Sequence, residues 1–164
     1  MARHFFLLLA LLVAQSSTTK PQESVKHDRT YCNVARSSNL TTLSNGKKYS
    51  FIQSYENWNS ANETCAEMGL HLATLRDTKD AQVVAAEALK IETGPNWLVS
   101  ARKSEGDFRW HDGTKLELNS TLWWGRAAKT HDCVYFYNWE AGKLNSYPCF
   151  FRFYVICELP TECY

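Results

Sequence analysis

The sequence predicts an α+β domain held together by disulfide bridges. Two segments with helical spacing of apolar residues come first, between residues 57 and 91. Short strand-like segments separated by turn residues follow them, between residues 97 and 157. Six cysteines are spread over the chain from Cys32 onward. Helices followed by a run of antiparallel strands are typical of the α+β class, so this order of elements predicts that class.

A secretory signal peptide is predicted over residues 1–16. A basic start at Arg3 and His4 precedes an apolar run from Phe5 to Ala14, and Ala14 and Ser16 are the small residues that a signal peptidase reads. A membrane anchor is the alternative, but about ten apolar residues are too few to span a bilayer. The protein is therefore expected to be secreted and extracellular, with no membrane insertion.

The rest of the chain is expected to form one domain. The chain has 164 residues and a formal net charge of +1, so it has no bulk attraction for nucleic acid. Residues 17–45 are polar and rich in Ser and Thr, which predicts a flexible leader. The domain is then expected over residues 46–160, with a short tail at 161–164. Three sequons agree with export and give the glycosylation candidates Asn39, Asn62 and Asn119.

The cysteines predict disulfides. All six lie beyond the signal peptide: Cys32, Cys65, Cys133, Cys149, Cys157 and Cys163. In an oxidising compartment an even set of this kind forms bridges, and the spacing alone leaves the pairing open. A zinc site is the competing interpretation, but the sequence has no C-x2-C pair and no cysteine–histidine pair with finger spacing. Disulfides are therefore predicted, and no metal site.

The first half of the domain predicts one strand and two helices. Residues 48–52 form the strand, after the turn signal Asn45-Gly46. The first helix has Asn57 as N-cap and Gly69 as its end, and its apolar face is Trp58, Ala61, Cys65 and Met68. The second helix begins at Asp77 or Thr78, and its apolar face is Ala81, Val84, Ala85, Ala88 and Leu89.

The second half predicts antiparallel strands. The segments after Gly94-Pro95 are residues 97–101, 108–110, 133–137 and 151–157, and Gly106 and Asp112-Gly113 are among the turn residues between them. Residues 143–149, KLNSYPC, are typical of a strand edge that leads into a cysteine. The last strand alternates between two faces, with Phe151, Phe153, Val155 and Cys157 on one and Arg152, Tyr154 and Ile156 on the other.

These segments, taken in order, resemble a C-type lectin-like domain. The first helix carries W-x2-A-x3-C-x3-G and is followed by HLATL at residues 71–75. WLVS from Trp97 resembles the central WIGL strand of that family, with Val99 in place of the glycine, and residues 105–116 resemble the hairpin before its long loop. CVYFY from Cys133, then Cys149, then YVICE at residues 154–158 complete the pattern. The match covers about residues 47–159, and a single domain behind a signal peptide resembles the secreted C-type lectins of insects.

The resemblance implies two disulfides. One is Cys65–Cys157, between the first helix and the last strand, and the other is Cys133–Cys149, in the region that bears the ligand. The two remaining cysteines, Cys32 and Cys163, lie just outside the two ends of the domain. Because the termini of a domain are often adjacent, an internal bridge between them is one interpretation. The other is that one or both of them link to a second chain.

The resemblance also implies a calcium site that this sequence does not complete. Sugar-binding members draw their ligands from an EPN or QPD tripeptide, from an acidic residue two positions before the cysteine that corresponds to Cys133, and from a WND motif. Here the loop after Trp124 reads GRAAKTHDC, His131 stands at the acidic position, and Leu144-Asn145-Ser146 stands at WND. Calcium needs several hard oxygen ligands, and of about five expected ligand residues only Asn145 remains. No bound calcium is therefore expected, and no other cofactor is expected.

The surface of the loop offers other binding groups. Adjacent residues on an extended segment face opposite ways, so one of Trp123 and Trp124 is expected in the core and the other outside it. Burial of both is the alternative. An exposed indole beside cations is suited to stacking on a sugar ring or to anchoring a protein. Tyr135, Tyr137 and Trp139 are expected in the sheet, and the ligand-binding candidates are Trp124, Arg126, Lys129, His131 and Asn145.

Three classes of function follow from these residues and from the resemblance. The first is a secreted recognition protein of innate-immunity type, a glycoprotein that binds a glycan or a glycoprotein surface without the usual calcium site. The second is a calcium-independent protein–protein interaction module, as a monomer, homodimer or heterodimer. The third is an enzyme, but the sequence has no G-x-S-x-G, H-E-x-x-H or phosphate-loop motif, so no catalytic residue is predicted.

Overall fold

The computed structural model describes residues 32–35, 38–92, 96–137 and 142–164. Its strands and helices are β1 (Thr41–Thr42), β2 (Lys48–Glu56), α1 (Trp58–Glu67), β3 (His71–Leu72), α2 (Thr78–Ile91), β4 (Trp97–Ser104), β5 (Asp107–Arg109), β6 (Cys133–Tyr137), β7 (Lys143–Tyr147) and β8 (Phe153–Glu158). A helical turn at residues 32–35 precedes them, and a 3-10 turn at Thr161–Cys163 follows. The α+β class predicted from the sequence is confirmed. None of the helices in these ranges is long and apolar enough to cross a bilayer.

The strands of the described residues form one sheet with the last strand at its centre. The strand order is β1-β2-β8-β4-β6-β7, with β3 also paired to β8 and β5 to β4. Strand β8 runs antiparallel to β2, where Cys157 lies opposite Ser50, and parallel to β4, where Val155 lies opposite Leu98. The sheet is therefore completed only when the C-terminal strand inserts between strands from the first and the second half of the chain.

The central strands are buried on both faces. Trp97 and Leu98 are neighbours in β4, yet Trp97 lies in the core that includes α2, and Leu98 lies in the core that includes α1. In β8, Ile156 and Cys157 divide between the same two cores. A strand with both faces covered by other elements carries apolar residues at successive positions, and this is the pattern of WLV and VIC in the sequence.

The two helices begin and end where their capping residues place them. The Asn57 carboxamide oxygen accepts a hydrogen bond from the Ser60 amide at 3.1 Å, and the Asp77 carboxylate accepts one from the Asp80 amide at 2.8 Å. These bonds satisfy backbone N–H groups that the first turn leaves without partners. Gly69, with φ of +68°, follows the last turn of α1 in the left-handed conformation that glycine adopts without strain. The predicted caps of both helices are confirmed.

Two side chains that the sequence assigns to buried faces are exposed. Leu89 is 41% exposed, because the buried stripe of α2 follows Ala81, Ala85 and Ala88 and the next position turns away from it. Phe151 is 49% exposed, because it belongs to a turn before β8, where its amide donates to the Pro148 carbonyl at 3.1 Å. The predicted alternation of β8 holds from Phe153 onward. The turn signal Gly94-Pro95 lies outside the described residues.

The flexible leader predicted for residues 17–45 is wrong for its last part. Thr41 and Thr42 pair with β2 as a short edge strand, and Leu43 is buried in the core. Cys32 is bonded to Cys163, which ties the preceding helical turn to the C-terminus. A buried leucine, a disulfide to Cys163 and pairing with β2 order this polar segment, and none of these contacts is visible in its composition. The signal peptide predicted for residues 1–16, and the leader up to residue 31, lie outside the described residues.

Three disulfides connect elements that are far apart in sequence. Their Cα–Cα distances are 5.5 Å for Cys65–Cys157, 5.1 Å for Cys133–Cys149 and 5.2 Å for Cys32–Cys163. The first joins α1 to β8, the second joins β6 to the turn after β7, and the third joins the two ends of the domain. The first two are the pairings that the family resemblance implies, and the third is the intrachain interpretation of the terminal pair.

A partly buried ion network fixes the N-terminal hairpin to the rest of the domain. The Lys47 ammonium lies 2.8 Å from the Asp80 carboxylate and 3.3 Å from the Glu158 carboxylate. Glu158 also accepts a hydrogen bond from the Thr74 amide at 2.8 Å. Burial opposes the charge on Lys47, but its bonds to Asp80 and Glu158 outweigh this and raise the pKa of Lys47. The network joins the start of β2, the start of α2 and the end of β8.

Two histidines that are forty positions apart in sequence stack on each other. The rings of His71 and His111 lie 4.7 Å apart between centroids, at an angle of 17°. Desolvation lowers the pKa of His111, and the neighbouring His71 lowers it further, although Asp112 opposes this. The contact joins β3 to the turn after β5. Sequence spacing did not indicate it, because the two residues meet only through the sheet.

We expect the Cys65–Cys157 bridge to contribute more stability than Cys133–Cys149. The two bridges close loops with sequence separations of 92 and 16 residues. Chain-entropy arithmetic gives roughly 4.7 and 3 kcal/mol for loops of these lengths. Urea unfolding followed by tryptophan fluorescence should therefore show a larger loss in the double variant C65A/C157A than in C133A/C149A. The reverse order would contradict the central role assigned to β8.

We expect the stacked histidines to make stability fall in mild acid. The pKa of His111 in the folded state lies below its ordinary value of 6.5, so the unfolded chain binds more protons. This contribution is fully present above about pH 6.5 and is lost as the pH falls below it. Because the ring is exposed, the effect should be no more than about 0.5 kcal/mol. In thermal melts between pH 5 and 8, H111Q should flatten the dependence of the melting temperature on pH, and an unchanged profile would contradict this assignment.

Candidate functional site

The long loop between β5 and β6 lies along the edge of β7. The amide of Leu144 donates to the Leu122 carbonyl at 2.8 Å, and the amide of Trp124 donates to the Leu144 carbonyl at 2.9 Å. These two bonds extend the sheet by a short stretch of loop. They hold the loop against β7 and fix the direction in which its adjacent side chains point.

The two adjacent tryptophans of this loop point to opposite sides. Trp123 is 7% exposed, packs edge-on against Phe108 at 5.3 Å, and donates its indole N–H to the Glu117 carbonyl at 2.9 Å. Trp124 is 48% exposed. The prediction that one tryptophan enters the core and the other stays outside is confirmed, and the alternative that both are buried is wrong. Trp124 is therefore available for contact with a ligand.

Trp124 is the exposed end of a row of aromatic rings. Its indole stacks on Tyr137, with centroids 5.3 Å apart and planes within 10° of parallel. Tyr137 contacts Tyr135 at 6.1 Å, and Tyr135 contacts Phe153 at 5.0 Å. We call these four residues the aromatic strip. Tyr135, Tyr137 and Phe153 are half-buried, so the row is anchored in the sheet and presents ring surface to solvent.

Asn145 lies beside the strip on the neighbouring strand. It pairs with Tyr135 in the register of β6 and β7, and its side chain is close enough to the Tyr135 hydroxyl to affect its pKa. Burial raises the pKa of Tyr135, and Asn145 offsets only part of this rise, so the phenol stays protonated at neutral pH. The Asn145 carboxamide oxygen also accepts from the Ser146 amide at 2.8 Å. The strip therefore has an amide and a phenol at its edge, which are the groups that hydrogen-bond sugar hydroxyls.

His131 and Ser146 bond to each other across the positions that calcium ligands occupy in the family pattern. His131 Nδ1 lies 2.8 Å from the Ser146 carbonyl oxygen and 3.3 Å from the Ser146 hydroxyl. The same hydroxyl accepts a hydrogen bond from the Ala128 amide at 2.8 Å. Ser146 is buried, so these bonds satisfy its polar groups inside the protein. The oxygen atoms that would face an ion are thus committed to the loop itself.

An ammonium group holds the rest of this loop. Lys103 Nζ donates to the Lys129 carbonyl at 2.8 Å and to the His131 carbonyl at 2.9 Å, and it lies 3.1 Å from the Asp132 carboxylate. It also lies over the Phe108 ring, 5.4 Å from the centroid. Three oxygens around one positive charge resemble the coordination of a small cation. Sequence patterns did not indicate this role, because Lys103 lies in β4 and binds residues 26 and 28 positions further along the chain.

The residues at this site do not fit a calcium ion. Calcium takes six to eight oxygen ligands, several of them carboxylates. Here an imidazole stands at one ligand position, a buried serine stands at another, and the nearest carboxylate, Asp132, already pairs with Lys103. In the part of the chain that the structure describes, no group of three or more His, Cys, Asp or Glu side chains is placed to hold a metal.

The structure separates the five predicted ligand-binding residues into three settings. Trp124 and Asn145 belong to the aromatic strip and its edge. His131 closes the loop and is bonded internally. Arg126 and Lys129 are exposed on the loop and form no salt bridge with other described residues. Tyr135 and Tyr137 lie in the sheet as predicted and also supply the strip, whereas Trp139 lies outside the described residues.

Comparison with known proteins agrees with this fold. Residues 54–159 match the family described as "Lectin C-type domain". Over 100 residues, which are 58% of this chain and 41% of the relative, the sequence is 30% identical to the CD209 antigen-like protein D of Mus musculus. The chain thus spans less than half the length of that relative. The expected resemblance to a C-type lectin-like domain is confirmed, while the likeness to insect lectins stays a prediction.

Solved structures show the same fold at low sequence identity. A C-type lectin from the tunicate Polyandrocarpa misakiensis is 24% identical, covers 68% of this chain and 96% of its own, and superposes with a TM-score of 0.60. Human lithostathine is 17% identical, covers 90% of this chain and 99% of its own, and superposes with a TM-score of 0.62. At these identities the likeness concerns the fold and not the ligand.

We expect calcium to leave the stability of the protein unchanged. A ligand that binds only the folded state at about 100 times its Kd adds roughly 2.7 kcal/mol, which raises the melting temperature by several degrees. With the loop closed by His131, Ser146 and Lys103, we expect no shift between millimolar calcium and chelator in a thermal melt. S146D alone should show no shift either, because one restored carboxylate leaves most of the ligands missing. A calcium-dependent shift in the unchanged protein would overturn the site described above.

Proposed function

Because the chain belongs to the C-type lectin domain family over residues 54–159, we propose that it is a recognition protein that binds glycans without calcium. Proteins with this fold are generally binding modules without catalytic activity, and the proposal assigns this chain no reaction. We also propose that the protein is secreted and glycosylated. The predicted signal peptide and the sequons at Asn39, Asn62 and Asn119 support this.

The observation that supports glycan binding is the exposed face of Trp124 on the aromatic strip. The apolar C–H face of a sugar ring packs on an aromatic ring, and an indole that is already stacked on Tyr137 loses little conformational freedom on binding. Asn145 and the Tyr135 hydroxyl lie on the same strip beyond Tyr137 and are suited to bonding sugar hydroxyls. The affinity then comes from stacking and hydrogen bonds, with no contribution from an ion.

A protein partner is the second candidate for the same surface. The 48% exposure of Trp124 favours it, because tryptophan is enriched among the residues that contribute most to protein interfaces. Arg126 and Lys129 would then contact acidic groups at the rim of such an interface. This candidate requires neither sugar nor calcium, so a sugar-binding assay separates it from the first.

We expect the protein to bind members of a glycan array equally with calcium and with chelator. W124A should weaken binding to the best glycan by about tenfold, because the stacking contact is worth about 1.4 kcal/mol. Surface plasmon resonance on that glycan measures the change. The matched control is Y55A, since Tyr55 is an exposed aromatic that contacts Tyr154 and not the strip. Failure to bind any glycan, or loss of binding in chelator, would rule out the proposal.

A further inference from the structure

A second surface with sugar-binding chemistry lies next to the loop. A groove of about 520 Å³ runs between the start of α1 and the Cys133–Cys149 bridge. The residues that matter for its chemistry are Asn57, Asn59, Arg102, Thr130, Asp132 and Phe150. None of them was singled out by the family pattern, because they come from four separate segments of the chain.

Phe150 forms the aromatic wall of this groove. Its side chain is 73% exposed, the highest value among the large apolar residues that the structure describes. It stacks on Phe151, with centroids 4.9 Å apart and planes 23° from parallel. Phe151 does not line the groove. One face of the Phe150 ring is thus supported by a neighbouring ring, and a flat apolar surface is displayed beside polar groups.

Two polar groups of the groove have hydrogen-bonding atoms without a partner among the described residues. Asn57 uses its carboxamide oxygen to cap α1, and its amide nitrogen has no partner among the described residues. The Thr130 hydroxyl likewise has no partner within those ranges. Asn57 is fixed as the cap of α1, and Lys103 holds the carbonyls on both sides of Thr130, so both groups can bind a ligand at little cost in conformational entropy.

The two charged groups of the groove are complementary to hydroxyl groups. Arg102 lies 5.1 Å from the centre of the Trp58 ring and donates one N–H to the Asn59 carboxamide oxygen at 3.2 Å, which leaves other N–H donors available. Asp132 pairs with Lys103 through one oxygen, and its side chain is 60% exposed. A fixed donor fork and a fixed acceptor facing one groove suit adjacent hydroxyls, each of which donates and accepts.

We propose that this groove is a second saccharide site, which takes a neutral pyranose ring stacked on Phe150 with its hydroxyls bonded to Arg102, Asp132 and Asn57. The inference rests on the proposed glycan binding and extends it to a second contact. The charged side chains that line the groove are one cation, Arg102, and one anion, Asp132, so the lining has no net charge and suits a neutral ring.

The test is a set of nuclear magnetic resonance titrations of the isotope-labelled protein with mannose, galactose, N-acetylglucosamine and glucuronic acid. Side-chain amide signals of Asn57 and Asn59 report on the groove, and the indole N–H of Trp124 reports on the aromatic strip. We expect at least one of the three neutral sugars to shift the amide signals. Glucuronic acid should shift them no more than the neutral sugars do, because the groove lining has no net charge.

Three variants test whether the sugar stacks on the Phe150 ring or responds to any change of the nearby surface. F150A should raise the Kd reported by the Asn57 and Asn59 signals by about tenfold and leave the Kd reported by Trp124 unchanged. Y55A is the matched control, since Tyr55 is an exposed aromatic that contacts Tyr154 and does not line the groove, and both titrations should stay as they are. T130V removes the Thr130 hydroxyl and should lower the affinity a few-fold at the groove only. All three side chains are exposed or half-exposed, so the melting temperature should not change.

Each outcome decides between the two surfaces. If no neutral sugar shifts the Asn57 and Asn59 signals, or if F150A titrates as the unchanged protein does, the groove is not a saccharide site. If Trp124 responds in that case, the proposed function stands and only the second site fails. If the groove responds and Trp124 does not, the second site stands and the strip is not the primary site. If no sugar shifts any of these signals, both the proposed function and the second site are overturned.

Discussion

The placement of β8 at the centre of the sheet is the constraint on which the rest of the fold depends. This last strand pairs with β2 on one side and with β4 on the other, and Cys157 in it is bonded to Cys65 of α1. Its final residue, Glu158, receives the Lys47 ammonium and the Thr74 amide. One strand thus joins both cores, both halves of the chain and the N-terminal hairpin, and the other elements have fixed positions only once it is inserted.

The loop that bears the site is held by an internal charge and by hydrogen bonds, at positions where the family pattern has calcium ligands. The Lys103 ammonium gathers two carbonyls and a carboxylate, and His131 bonds the buried Ser146. A covalently attached cation needs no binding step and is present at every calcium concentration. The loop is therefore shaped by folding alone, which is the property that a calcium-independent recognition surface requires.

Much of the fold could be predicted from local patterns, whereas the site depended on contacts between distant segments. Cap residues, apolar spacing and alternating strands located the helices and strands to within a few residues, because these signals act between near neighbours. Leu89 and Thr41–Thr42 were misjudged, since their burial or pairing is decided by other elements. Trp124 was found from alternation, but the roles of Lys103 and of the Phe150 groove arise only when segments from four parts of the chain meet.

The segment from Thr130 to Asp132 connects the two proposed binding surfaces. His131 bonds to Ser146, while its two neighbours Thr130 and Asp132 line the groove. Tyr147 also connects the two surfaces. Tyr135 of the strip packs on Tyr147 at 5.6 Å. Arg102 of the groove acts on the same residue, because its charge opposes the rise in the pKa of Tyr147 that burial causes. A change at Lys103 would therefore disturb both surfaces together. Asp132 pairs with Lys103 at 3.1 Å while its side chain stays 60% exposed, so the lysine that holds the loop also positions the carboxylate that lines the groove.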